Sequence, residues 1–377
     1  MRHTVIIPSY NTLPHLKNTY ESIKRYGGDV DIIIIDDASE DGTAEWLISL
    51  SDERLNRVLS PERKGHTYWY DEGMRRAETD IVSILHSDMI IGPGYFENML
   101  KHLERGKVVC ATRIEPPIHP AGKEKIVRNF GDEADNFMWD TFNKFVIQEK
   151  ADSEGQTTRG IFAPWMLYKE DHLDIGGHDQ RFAPFGYEDS DIFNRWIIAG
   201  YEMVQSRDAL VYHMTCRGHK WNKGVGIENP DYRDIMNRCE REYQRKWGDW
   251  IQNDNYQHPI INPKYDRGII IKNCNENLLI QLEPWADTLY IDCEYENYIE
   301  KESKRTVVDL REKIRPLDNE KQNAILIEVD GNTFTQQDYI YIRQLSPILK
   351  QNTPAPGEFN LNNLKLNIIR YEEEVHS

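Results

Sequence analysis

Three short, β-branched apolar runs punctuate the first quarter of the chain: Thr4-Val5-Ile6-Ile7, Asp31-Ile32-Ile33-Ile34-Ile35 and Ile81-Val82-Ser83-Ile84-Leu85. Runs this continuous, without polar alternation, are the pattern of strands buried on both faces of a parallel sheet. Between the first two, Leu13, Leu16, Tyr20 and Ile23 recur at helical spacing, with Pro14 suited to the first turn and Asn11 or Thr12 to the cap. That is a β-α-β unit. A second helical stretch with Ala44, Leu47 and Ile48 follows the turn Ser39-Glu40-Asp41-Gly42-Thr43. The alternation predicts a doubly wound, mainly parallel α/β sheet, in which ligands gather at the carboxyl ends of the strands.

From 113 to 160 the pattern weakens and aromatic residues mix with polar ones (Trp139, Phe142, Phe145), which reads as an excursion or lid. Order returns at Ile161-Phe162-Ala163-Pro164-Trp165-Met166-Leu167-Tyr168, then at Gly176-Gly177. The acidic segment Phe185-Gly186-Tyr187-Glu188-Asp189-Ser190-Asp191 follows, at the mouth of a helix predicted over 192–199. Ala209-Leu210-Val211-Tyr212 predicts a last short strand. It leads to a basic loop, Arg217-Gly218-His219-Lys220-Trp221, and to an amphipathic helix carrying Ile235, Cys239, Tyr243 and Trp250, expected to dock on the core. Residues 253–263 are polar and aperiodic and mark a boundary. Beyond them Gly268-Ile269-Ile270-Ile271, Leu289-Tyr290-Ile291 and Ala324-Ile325-Leu326-Ile327-Glu328-Val329 read as strands, with helical stretches near 297–312 and 336–349. The expected division is a domain over 1–252 and a small α/β domain over 264–377.

Composition narrows the classes. With 377 residues, 39% of them hydrophobic and 29% charged, the chain has the material for about two globular domains. Its net charge of -17, from 46 basic and 63 acidic residues, argues against a generic grip on nucleic acid or anionic lipid, which depends on Lys and Arg neutralising phosphates. Five scattered cysteines without CxxC spacing suggest neither a disulfide framework nor a structural zinc site, and a reducing cytoplasm suits them. Met1-Arg2-His3 runs directly into the first strand, so no signal peptide is expected. No apolar run approaches the ~20 residues needed to span a bilayer, so membrane association, if any, is expected to be peripheral.

The polar residues at strand ends form a set. Pro8-Ser9-Tyr10-Asn11 follows the first strand, Asp36-Asp37-Ala38-Ser39 the second, His86-Ser87-Asp88 the third and His213 the last, and the acidic segment precedes its helix. Each alone also fits a helix cap or a packed polar side chain. Together they resemble the GT-A glycosyltransferases, family 2 in particular. The resemblance implies that Pro8 and Tyr10 pack on a nucleotide and that Asp37 accepts the N3 proton of a uracil. It implies that Lys64, at the start of a loosely matching stretch with Asp71-Glu72 in place of the usual Arg-Asn, reaches toward the donor. His86-Ser87-Asp88 stands in place of the family's DxD motif, so Asp88 is the expected metal ligand, Ser87 lies beside the donor, and the role of His86 stays open. A cation bridging two phosphates needs hard oxygen ligands. His213 matches a metal-binding histidine, and its nitrogen tilts the choice between Mn²⁺ and Mg²⁺ toward Mn²⁺.

The same resemblance places Asp189 as the general base that takes the proton of an acceptor hydroxyl. Glu188 would hold a sugar hydroxyl and, by like-charge repulsion, raise the pKa of its neighbour. Gly176-Gly177-His178-Asp179 matches a Gly-Gly-aromatic-Asp turn with His178 in the aromatic place. Arg217, His219 and Lys220 either cover a pyrophosphate or form a solvated basic loop, and Trp165 and Tyr187 either stack on a pyranose or belong to the core. The implied reaction is inverting sugar transfer from a UDP-sugar to a glycan or other hydroxyl acceptor. The C-terminal domain would bind that acceptor, mediate an oligomer or buttress its neighbour. A non-catalytic nucleotide-sugar or glycan-binding module is the alternative. A glycoside hydrolase also uses two carboxylates but needs no nucleotide turns. A dinucleotide-dependent dehydrogenase would carry a glycine fingerprint where Pro8-Ser9-Tyr10-Asn11 stands.

Overall fold

The computed structural model describes residues 2–221 and 226–371; Met1, 222–225 and 372–377 lie outside the described residues. It divides into two units, 1–235 with 253–259, and 236–252 with 260–377.

In the first unit the strands are β1 (Thr4–Ser9), β2 (Asp31–Asp36), β3 (Leu55–Leu59), β4 (Ile81–Ile84), β5 (Met89–Ile91), β6 (Lys107–Glu115), β7 (Lys125–Val127), β8 (Thr157–Thr158), β9 (Trp165–Tyr168) and β10 (Glu202–His213). Their order is β3-β2-β1-β4-β9-β6-β10-β5, with β7 beside β6 and β8 beside β10. β1 pairs in parallel with β2 and β4, β2 with β3, and β10 with β6, while β9 runs antiparallel between β4 and β6. The carboxyl ends of β1, β2, β4, β6 and β10 therefore share one edge. Alternate residues serve opposite faces: Val5, Ile7, Ile32 and Ile34 join one core cluster, and Ile6, Ile33 and Ile35 join another. The first is covered by Leu16, Tyr20 and Ile23 of the helix Leu13–Tyr26, the second by Trp69, Tyr70 and Met74 of the helix His66–Arg76 and by Ile192, Phe193 and Trp196 of the helix Glu188–Ile198. Unbroken apolar runs were the right signal for strands covered on both sides.

Three expectations need correction. Residues 113–160 are no lid: β6 continues to Glu115, and the helix Trp139–Asp152 buries Phe142 and Val146 in a cluster with Phe130, Phe137 and Tyr212. The aromatic residues are core, and the polar residues between them are its solvent face. β10 begins at Glu202, not near 209, because its polar first half is buried and internally bonded. Gln205 Nε2 donates to the Glu124 carbonyl at 2.6 Å and Ser206 Oγ to Asp208 at 2.6 Å, around a register shift between Gln205 and Leu210. The helix expected from 192 starts at Glu188, which puts Glu188, Asp189 and Asp191 inside its first turn.

The second unit holds β11 (Arg267–Lys272), β12 (Thr288–Ile291), β13 (Ile314–Pro316), β14 (Ile325–Asp330), β15 (Gly357–Leu361) and β16 (Leu364–Ile368), in the order β13-β12-β11-β14-β16-β15. The first four are parallel and the final hairpin antiparallel. The expected stretch near 297–312 is two helices, Glu296–Glu302 and Leu310–Lys313. Residues 236–252, most of the helix Tyr232–Trp247 among them, belong to this unit. Arg245 anchors them, bonding Glu242, Glu283 and Glu302 at 2.5–2.6 Å. No helix among the described residues is long and apolar enough to cross a membrane.

Candidate active site

The shared strand edge of the first unit opens into a pocket. Pro8, Tyr10, Asp37, Ser87, Asp88 and Arg217 line it together with Arg63, His66, Tyr70, His86, Phe185 and His219. Lys64 does not belong to this wall: its ammonium pairs with Glu62 at 2.5 Å on the surface.

β10 ends on His213, whose Nδ1–H donates to Glu115 Oε1 at 3.0 Å, leaving Nε2 to face Asp88 Oδ1 at 3.5 Å. Glu115 sits at the end of the parallel neighbour β6, clamped by Arg113 and Lys125 at 2.7 Å each. Burial opposes its ionisation, but Arg113, His213 and Lys125 together hold its carboxyl well below the usual range. A carboxylate fixing the far nitrogen of an imidazole is the usual support of a metal-ligating histidine. His86, two residues before Asp88, completes a group of three donors lying within 4.8 Å of one another. Asp88, His86 and His213 therefore fit a divalent cation.

Arg217 follows on the next turn. Its Nη2 donates to the Asp132 carbonyl and lies 3.4 Å from Glu133, whereas Nε and Nη1 are buried without a hydrogen-bond partner among the described residues. Arg63 lies 4.0 Å over the Tyr10 ring, its Nε also buried and unbonded. Buried N–H groups are rarely left orphaned, and two guanidiniums in one pocket fit a multiply charged anion.

Asp37 is on the pocket wall, but its carboxylate already serves the chain. Oδ1 accepts from the Lys64 amide (2.7 Å) and Trp69 Nε1 (2.6 Å), and Oδ2 from the Gly65 amide (2.8 Å). It thereby fixes the turn into the helix His66–Arg76. Gly65 is required there: its φ is +89°, and a Cβ would meet the Pro184 carbonyl oxygen at 2.1 Å.

That turn delivers His66, which the sequence reading missed. His66 Nε2 lies 2.7 Å from Glu188 Oε1. Burial disfavours the imidazolium, but the Glu188 charge outweighs it and the His66 pKa is raised; in return burial of Glu188 is outweighed by His66 and its pKa is lowered. Asp189, by contrast, has no hydrogen bond from the described residues, and burial followed by repulsion from Glu188 pushes its pKa up to about 6. One neighbour is thus kept ionised and paired while the other is made more basic, half-buried and without a hydrogen bond among the described residues; neither is among the residues lining the pocket. The two ends of the pocket are joined by rings: His66 stacks with His86 at 6.4 Å between centroids, and His86 meets His213 edge-on at 5.5 Å. Tyr70, its pKa raised by burial, feels the charges of Asp189, Glu188 and Asp88 together.

Asp71, which departs from the expected Arg-Asn, proves to be a buried clamp. Its Oδ1 accepts from His172 Nε2 (2.9 Å) and His178 Nδ1 (2.7 Å), its Oδ2 from the His178 amide (2.8 Å). Gly177 permits this approach, since a Cβ would lie 2.3 Å from Asp71 Oδ2. His178 therefore holds the turn ahead of the acidic segment. Trp165 is fully buried, stacked on His172 and His178, and belongs to the core. Neither Glu115 nor His66 announces itself in the sequence, because each matters only through a partner about 100 residues away.

The mainly parallel sheet has the GT-A arrangement, with the pocket at its shared strand edge, and comparison with known proteins gives the family. The model described as glycosyl transferase family 2 matches residues 4–174, and one described as the N-terminal domain of galactosyltransferase matches 147–220. The chain is 30% identical over 254 residues to the uncharacterized glycosyltransferase YwdF of Bacillus subtilis, covering 63% of this chain and 83% of YwdF. It is 27% identical over 253 residues to YfnE of the same organism, 56% of this chain, and spans 64% of YfnE's length. Identity to the validoxylamine A glucosyltransferase of Streptomyces hygroscopicus is 25% over 322 residues, 75% of this chain and 68% of that protein. The solved structure of GalNAc-T7 with UDP, GalNAc and Mn²⁺ aligns over 65% of this chain and 49% of its own at 13% identity, with a TM-score of 0.46. The chain belongs to glycosyltransferase family 2.

Proposed function

We propose that this chain transfers a sugar from a nucleotide-diphosphate donor, a UDP-sugar, to the hydroxyl of a glycan or similar acceptor, with inversion at the anomeric carbon. The observation that carries the reading is Asp189: an unbonded carboxylate with its pKa pushed up to about 6, beside a Glu188–His66 ion pair. A general base works best when its pKa lies near the operating pH.

Pro8 and Tyr10 would hold the nucleoside, with Asp37 beside the base, and the unpaired N–H groups of Arg217 would meet the diphosphate. Asp88 and His213 would hold Mn²⁺ or Mg²⁺, which when bound offsets charge on the departing diphosphate. Asp189 accepts the acceptor's hydroxyl proton as the new C–O bond forms. Burial, and after it the charge that Glu188 keeps through His66, holds Asp189 proton-hungry. A single open carboxylate suits one in-line displacement and hence inversion. A retaining hydrolase would need a second free carboxylate about 5 Å away, and Glu188 is engaged. With all five cysteines as free thiols, a reducing cytoplasm is the compartment we assign.

The test is a melting-temperature screen of the whole chain against UDP, GDP and their sugars with Mn²⁺, followed by a transfer assay with the sugar of the stabilising nucleotide. UDP is expected to raise the melting temperature. No response to any nucleotide sinks the donor assignment; a response without transfer or donor hydrolysis leaves the binding-module alternative.

A further inference from the structure

We infer that His86 is itself a direct metal ligand, so that the cation at this pocket is held by two imidazoles and one carboxylate and must be a borderline transition metal, with Mg²⁺ a poor occupant. The inference rests on the reading of the pocket as a cation-assisted donor site and goes further, to which cation that site takes.

Two histidine–carboxylate clusters of metal-ligating composition occur among the described residues, and their geometry differs in kind. In the Asp71–His172–His178 group, imidazole N–H groups lie 2.7–2.9 Å from a single carboxylate oxygen. There the atoms that face one another are already joined by hydrogen bonds, and only the far nitrogens, His172 Nδ1 and His178 Nε2, are unbonded among the described residues. In the His86–Asp88–His213 group the same kinds of atom stand further apart. His213 Nε2 is 3.5 Å from Asp88 Oδ1, no hydrogen bond joins the three, and all lie within 4.8 Å. Ligands about 2.1 Å from one ion sit roughly 3–4 Å from each other, so this is the spacing of a set that brackets a cation.

His86 has no other occupation. Neither ring nitrogen hydrogen-bonds to the described residues, although the ring is held firmly, stacked against Tyr70 at 6.4 Å and against His66 on the same side of the pocket. Its backbone carbonyl accepts from the Met89 amide at 3.1 Å, fixing the tight turn that brings residues 86 and 88 to the same point. An oriented imidazole with free nitrogens, facing a carboxylate and a second imidazole already aimed by Glu115, is equipped to coordinate.

The consequence is selectivity and charge. Mg²⁺ demands oxygen ligands and dehydrates reluctantly, whereas imidazole suits later divalent ions such as Co²⁺ and Zn²⁺ best and is accepted more readily by Mn²⁺ than by Mg²⁺. With Asp88 as the sole anionic protein ligand, the ion also keeps more positive charge for a diphosphate than it would with two carboxylates.

The experiment uses the whole chain stripped by a chelator, with metal alone as the probe: Mn²⁺ by electron paramagnetic resonance, Co²⁺ by its visible absorption, and Mg²⁺ by competition. Wild type is expected to bind Mn²⁺ and Co²⁺ at least ~100-fold more tightly than Mg²⁺. His86→Ala should weaken Mn²⁺ at least ~10-fold and shift the Co²⁺ bands, while His86→Asp should recover Mg²⁺ binding. Circular dichroism melts verify that each variant is folded. If His86→Ala leaves the Mn²⁺ affinity and Co²⁺ spectrum unchanged while Asp88→Asn abolishes both, His86 is no ligand but the cation site stands. If Asp88→Asn also changes nothing, the inference and the cation part of the proposed function fall together.

Discussion

The two units of this chain use the same scaffold to opposite ends. Each has a central strand, β1 or β11, flanked by parallel neighbours on both sides, so each presents a crevice at its strands' carboxyl ends. In the second unit the polar groups there satisfy one another. Asp292 accepts from the amides of Asn273 and Cys274 at 2.7 and 2.8 Å, Asp330 from Asn273 Nδ2 and the Asn332 amide at 2.9 Å, and Asn275 caps the next helix. Its interior charges close up as well, Arg245 and Lys313 meeting Glu283 at 2.5 and 2.8 Å. In the first unit the His86 ring nitrogens and two N–H groups of Arg217, on the pocket wall, make no hydrogen bond among the described residues, and neither does the carboxylate of Asp189 in the first turn of its helix. A parallel sheet supplies a place, and groups left unsatisfied there supply the chemistry.

The sharpest way to break that comparison is to neutralise one carboxylate in each unit. Asp189→Asn should lower the transfer rate about 10²–10⁴-fold with UDP affinity nearly intact, as loss of a general base does. Asp292→Asn should leave the transfer rate within about twofold and instead lower unfolding free energy by about 0.5–1 kcal/mol, because two amides lose a charged acceptor at a solvent-exposed turn. Steady-state kinetics and urea melts on both variants decide it. Loss of transfer in Asp292→Asn would mean that the second unit is chemically engaged after all.

Arginines make the second pair. Arg217→Ala should raise the UDP dissociation constant about 10–100-fold, since a hydrogen bond to a charged group contributes about 1.5–3 kcal/mol. Arg245→Ala should leave UDP binding unchanged and destabilise by about 3–5 kcal/mol, because it strands Glu283 and Glu242 in the interior. Calorimetric titration with UDP and Mn²⁺ reads the first effect, and thermal melts the second.

The same contrast explains what could be read from the sequence. Strands β1, β2 and β4 declared themselves because burial on both faces forces unbroken apolar runs. The acidic segment declared itself because three carboxylates in four residues are rare without a task. Polar residues that work in pairs stayed hidden. Glu115 matters only because β6 lies beside β10, and Asp71 only because Gly177 lets the turn close on it. The first half of β10 and the hairpin Gly357–Leu361 with Leu364–Ile368 were missed for the related reason that their apolar residues are interrupted by polar ones partnered elsewhere or facing solvent. Glu115 gives this a measurable form: Glu115→Gln keeps the shape but weakens the grip on His213 Nδ1, and Mn²⁺ affinity should fall about tenfold. Paramagnetic titration of that variant against wild type reads it.

The smallest expected effect is also the most direct reading of what an open site demands of stability. The Asp189 carboxyl is raised from its ordinary value to about 6, so the folded chain binds a proton there more readily than the unfolded chain does. Its contribution to stability is then present at pH values below the unfolded carboxyl's pKa of about 3.9 and is lost as pH rises through about 6. Above that the ionised carboxylate, close to Glu188 and unbonded, works against folding. Asp189→Asn should accordingly stabilise the chain at pH 8, by on the order of 1–2 kcal/mol once partial solvent screening is allowed for, and make little difference at pH 4. The transfer rate of wild type should follow the opposite course, rising with pH and levelling above about 6 as the base deprotonates. Melting curves of the two proteins across pH 4–8, set beside the wild-type pH–rate profile, test both signs at once. A variant less stable than wild type at pH 8 would show that Asp189 is held by bonds of its own, and the contrast with the satisfied carboxylates of the second unit would disappear.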